Sequence, residues 1–197
     1  MCPDLQREPP MSVRRFDTRA IMTCAAIGVA TGLLLIPFNV LSVALTAAFP
    51  LLVSLIYGLW AVPALMGLAM MRRPGAGVLA STVAGLVGMP LSTYGWMMLI
   101  TMFLWGLFIE IPFMITRYRI WGTPMFLITS AFIGALSGGL LIVSLGGEQM
   151  SAATMAGAMA LATVSTPVFG YLSLLGVRAL ARAGVGGARR QVAGGSS

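Results

Sequence analysis

The chain has no histidine, no lysine and only five acidic residues among 197. Without histidine there is no imidazole-ligated metal site, no Ser-His-Asp triad and no HExxH zinc motif. Without lysine there is no GxxxxGK[ST] loop to cradle nucleotide phosphates. No nucleophile and base can be paired in the apolar part of the chain, where a single acid stands, so it is read as a non-enzyme without metal or cofactor. The two cysteines, Cys2 and Cys24, lie one at the start of the chain and one inside the first apolar run. Neither is placed to build a disulfide framework or a thiolate site.

Charge is scarce in general: 9% of residues are charged and 58% are hydrophobic. The mean hydropathy of +0.95 leaves no room for a second, water-facing domain. Several apolar runs reach the roughly 20 residues that cross a hydrocarbon layer of about 30 Å. The chain is therefore read as an all-α polytopic membrane protein. The stretch SVRRFDTRA before the first run resembles a secretory or twin-arginine signal, but the run is too long and is followed by more, so retained insertion is expected. Residues 1–13 are expected to form a disordered tail, 14–181 a membrane domain, and 182–197 a disordered Gly/Ala/Arg tail.

Six spans are expected, over residues 18–35, 49–71, 75–91, 94–116, 124–145 and 153–181. Pro37, Phe38 and Asn39, then Phe49 and Pro50, mark a break between the first two. The connector between them, residues 37–48, is apolar where an exposed loop would be polar, as a lid over the helices would be. All basic residues are arginines, and an even number of spans puts every cluster on one side: Arg14, Arg15 and Arg19; Arg72 and Arg73; Arg117 and Arg119; Arg178, Arg182, Arg189 and Arg190. By the positive-inside rule that side is the cytoplasm, with both termini in it. The net charge of +7 thus reports topology in a cell membrane rather than affinity for nucleic acid.

Three features stand out within the spans. Small residues recur at helical spacing, with Cys24, Gly28 and Gly32 on one stripe of the first span and Ala26 and Ala30 on the next. Such stripes allow close helix approach inside the bundle or docking on a second membrane protein. Aromatic residues include Tyr94 and Trp96 at a span end, which suits an interfacial belt, and Tyr57 and Trp60 deeper in the second span, which does not. Glu110 is one carboxylate inside an apolar helix, and such a charge costs roughly 3 kcal/mol near the bilayer centre unless partnered. Arg117, two turns on and about 10 Å away along the axis, is one partner; a cationic or amine-bearing ligand is the other reading.

The segments YGLWAVPALMGLAMMRRPGAGVLAS, residues 57–81, and WGLFIEIPFMITRYR, residues 105–119, resemble the YkoE-type substrate-binding S component of energy-coupling factor (ECF) vitamin transporters. The resemblance spans about residues 14–180. It implies six helices, a thiamine or thiamine-precursor (hydroxymethylpyrimidine) ligand bound from outside, and three partners: a transmembrane coupling subunit and two cytosolic ATPases. It carries ligand-binding roles to Glu110, Tyr57 and Trp60; Asn39, Trp96 and Trp105 are further ligand-binding candidates. Ala26, Gly28 and Ala30 become the candidate interface with the coupling subunit. The chain departs from the family pattern at Ser81 and Gly88, where relatives carry acids, and at Trp105, where they carry glutamine. A different class of function, a membrane scaffold braced by a Glu110–Arg117 ion pair, and an S component for another small vitamin or a cation, are the competing readings.

Overall fold

A computed structural model describes residues 18–144 and 151–182. The tails expected at 1–13 and beyond Arg182 lie outside the described residues. In order come α1 (Thr18–Ala48), α2 (Pro50–Ile56), a 3-10 turn (Tyr57–Ala61), α3 (Val62–Met71), α4 (Ala76–Gly88) with a short 3-10 extension (Met89–Leu91), α5 (Trp96–Ile115), α6 (Thr123–Ser144) and α7 (Ala152–Arg182). No strand occurs among the described residues. In hydrocarbon every backbone N–H and C=O must be satisfied within the segment, and the helix does so whatever the side chains. Five helical segments have the length and composition to cross a membrane, and Ala76–Leu91 is a shorter apolar sixth.

The expected connector and lid over residues 37–48 do not exist as such. α1 continues unbroken through Pro37 to Ala48. Proline removes one ladder hydrogen bond, but no water competes for the backbone here, and leaving the helix would orphan more groups than staying in it. The reversal comes instead at Phe49, whose extended backbone (φ −145°) precedes Pro50. A residue before proline is pushed out of the helical region.

Glycines set how the helices approach. α1 runs alongside α4 in the same direction: a Cβ on Gly28 would lie 2.6 Å from the Ala80 carbonyl oxygen, and one on Gly32 would lie 2.8 Å from that of Ala84. α4 and α5 run antiparallel, with Gly85 against Met102 and Gly106 against Ser81 and Val78. α6 and α7 pair antiparallel through Gly134, Gly138 and Gly170, and Gly58 lets Phe169 and Thr166 of α7 reach the 3-10 turn. Leu65, Leu68, Met98, Met102, Trp105, Ile109, Phe113 and Phe126 fill the space between, fully or nearly buried.

The second span is broken in its middle. Pro63 cannot donate to the turn before it, and the chain tightens to 3-10 geometry over Tyr57–Ala61. Ser165 of α7 donates its hydroxyl to the Leu55 carbonyl at 2.5 Å. That bond supplies a partner from a neighbouring helix where the local ladder changes register. The Tyr-Gly-x-Trp motif of the sequence is this turn.

Candidate functional site

Two polar clusters occupy opposite ends of the bundle. The first is built on Glu110, 4% exposed, on the last turns of α5. Its Oε1 accepts the backbone N–H groups of Gly77 (2.9 Å) and Val78 (3.1 Å), and its Oε2 accepts those of Gly75 (3.0 Å) and the Tyr118 hydroxyl (3.0 Å). The acceptor thus sits on the first turn of α4, where helix N–H groups have no partner in their own chain segment. Arg-Arg-Pro-Gly-Ala-Gly offers no Ser, Thr, Asp or Asn to cap that helix, and Gly75, at φ +82°, takes the left-handed conformation that turns the chain into it. Glu110 does the capping from another helix, with the partial positive charge of the helix end facing it.

The expected Glu110–Arg117 ion pair is corrected. The two residues form no ion pair; Arg117 lies exposed in the following turn, with φ +51°, and Tyr118, with φ +55°, turns its phenol back to the carboxylate. Burial, then the charge of Glu110 and the hydrogen bond to it, raise the Tyr118 pKa. Trp121 donates its indole N–H to the Tyr118 carbonyl at 2.6 Å, and the ring of Phe113 packs at a tilt against those of Trp121 and Phe126. Tyr118, Gly75, Gly77 and Val78 were missed in the sequence. The missing N-cap before Ala76 was the available signal.

The second cluster centres on Asn39, 1% exposed on α1. Ser92 and Thr93, in the turn between α4 and α5, donate their hydroxyls to its Oδ1 at 3.3 and 3.2 Å. Its Nδ2 is buried without a partner. Tyr57, half-buried, opens the 3-10 turn of the second span, and Tyr94 closes the 92–94 turn, its backbone N–H donated to Ser92 Oγ at 3.1 Å. Trp60, half-buried, packs on the core one turn further in, and Trp105 lies in the core edge-on to Phe108, ring centres 6.5 Å apart. Trp96, 67% exposed, stands on the outside of the bundle. The structure therefore gathers Asn39 and the 92–94 turn, and it places Glu110 elsewhere. Along α5 alone, Trp96 and Glu110 are about 21 Å apart at about 1.5 Å per residue.

The small-residue stripes of α1 separate cleanly. Cys24, Gly28 and Gly32 are buried, the two glycines against α4. Ala26 and Ala30 are exposed, and with Met22, Met66 and Leu180 they line an apolar groove of about 340 Å³ between α1, α3 and α7. Among the described residues no three His, Cys, Asp or Glu side chains converge on a common point.

No curated protein sequence matches the chain. A crystal structure described as an S-component of ECF transporter superposes with a TM-score of 0.81 over 92% of this chain and 98% of that one. At 21% identity the likeness is one of fold. A family described as "ABC-type cobalt transport system, permease component" matches residues 19–136, well over half of the chain. By that match the chain belongs to this family of membrane transport components, and it carries the fold of an ECF S component.

Proposed function

We propose that the chain is the substrate-capture subunit of an ECF transporter, crossing the cell membrane six times with both termini in the cytoplasm, and that it binds thiamine or its hydroxymethylpyrimidine precursor. The observation that carries this reading is the buried, incompletely bonded Asn39, held against the 92–94 turn at the end of the bundle away from the arginines. Aromatic faces and a few convergent polar groups are what small heterocycles need. The ATPase partners supply the energy that a chain without a phosphate-binding loop does not. The coupling subunit docks over Ala26 and Ala30, whose exposed methyls admit a second helix closely.

The family description names cobalt, and a bare divalent cobalt ion is the competing cargo. The chain has no histidine, and the described residues offer the ion one buried thiol at Cys24 and a glutamate whose oxygens already accept four hydrogen bonds. Such a donor set fits an organic ligand better than a first-row metal ion. Calorimetry on the protein in lipid nanodiscs tests the reading with three titrants: thiamine, hydroxymethylpyrimidine and cobalt chloride. Saturable one-to-one binding of a pyrimidine with no cobalt heat is expected; cobalt binding alone would reverse the assignment.

A further inference from the structure

Asn39 is more than one member of a polar cluster, because half of its carboxamide has nothing to do. Ser92 Oγ accepts the Tyr94 backbone N–H at 3.1 Å, which leaves the serine hydrogen to be donated onward to Asn39. Thr93 donates to the same oxygen. The amide thus meets the 92–94 turn through Oδ1, and Nδ2 takes no part in those bonds. Nδ2 is buried with no acceptor. An unpaired buried donor is destabilising, and a leucine at this position of α1 would remove the penalty without disturbing the helix. Nor is Asn39 needed to continue α1, since the ladder passes through it and Ser42 bonds back to its carbonyl at 2.8 Å.

Resting on the S-component reading, we infer that Asn39 is the residue that selects the substrate ring, its Nδ2–H donating to a ring nitrogen of an aminopyrimidine. A carboxamide places N–H and C=O side by side in one plane, the complement of a ring nitrogen flanked by an exocyclic amine. The two bonds to Oδ1, at 3.2 and 3.3 Å, are long for hydroxyl donors, so the oxygen is available to exchange one of them for the ligand's amine. Selection then rests on an edge of the ring, and a carbocycle of the same shape is rejected because it leaves the amide as unpaired as before.

The test measures binding and melting together, on the full chain in nanodiscs, by tryptophan fluorescence with hydroxymethylpyrimidine and with its benzene analogue. Asn39→Leu is expected to melt at or above the wild-type temperature while binding hydroxymethylpyrimidine at least tenfold more weakly. Asn39→Asp, which offers acceptors only, is expected to lose binding to a similar degree, and the wild type is expected to ignore the benzene analogue. If Asn39→Leu binds within twofold of the wild type, this inference fails and the S-component reading stands. If Asn39→Leu melts well below the wild type, the amide is a structural group and the inference is likewise overturned. If the wild type binds no pyrimidine at all, both fall together.

Discussion

Glu110 shows how one residue changes meaning with its partners. A carboxylate that accepts three backbone N–H groups and a phenol is held by a helix end, and losing it strips the first turn of α4 of its cap. Glu110→Ala is expected to lower stability by about 3 kcal/mol, since one buried and three part-buried donors lose their acceptor. Tyr118→Phe should cost about 1 to 2 kcal/mol, and Arg117→Ala less than about 0.5. Thermal unfolding in detergent ranks them, and equal losses for Glu110 and Arg117 would restore the ion pair. The raised Tyr118 pKa adds a pH signature. Its phenol contributes fully below the unfolded value of about 10, and that contribution falls as pH rises from there toward the folded value. Alkaline melting curves should show this decline in the wild type and not in Tyr118→Phe. The sequence announced the expense of Glu110 but not its recipient. Arg117 is near along the chain, whereas Gly77 and Val78 are near only once α4 and α5 have paired.

That pairing belongs to the element scale, where apolar runs and arginine clusters made five of the helical segments legible within a few residues. Register was less legible, because it depends on which glycines face which backbone. Gly106 has Ser81 and Val78 against it and Gly139 has nothing within 4 Å, yet both read as small residues in apolar helices. Gly106→Ala is expected to destabilise by about 1 to 3 kcal/mol through overpacking, while Gly139→Ala is expected to be neutral or to stabilise by up to about 1 kcal/mol. Melting temperatures of the pair check the assignment of the α4–α5 contact. α1 gives the opposite lesson. Pro37 reads as a break by the rules of water-soluble chains, but the apolar residues around it leave the backbone no solvent to turn to.

For the whole molecule, the helix contacts bring the turns bearing Arg72, Arg73, Arg117 and Arg119 together through Glu110, and place Leu180 of α7 beside Met22 of α1 at the same end. The positive-inside pattern thus acquires a geometric counterpart, and the Asn39 cluster lies at the other end. A groove floored by Ala26 and Ala30 faces outward along the side of the bundle. Ala26→Leu is expected to leave the melting temperature within about 2 °C, an exposed change away from the core. The same variant should sharply reduce co-purification with a coexpressed coupling subunit; unchanged recovery would move the docking face elsewhere. What the sequence could not convey is that Asn39 holds unspent hydrogen-bonding capacity, because it looks like a loop residue until α1 is seen to enclose it. The central claim, capture of an aminopyrimidine at that end, is tested most directly by calorimetric titration of the wild-type protein in nanodiscs with hydroxymethylpyrimidine. Saturable one-to-one binding is predicted, and the absence of binding by hydroxymethylpyrimidine and thiamine alike would contradict it.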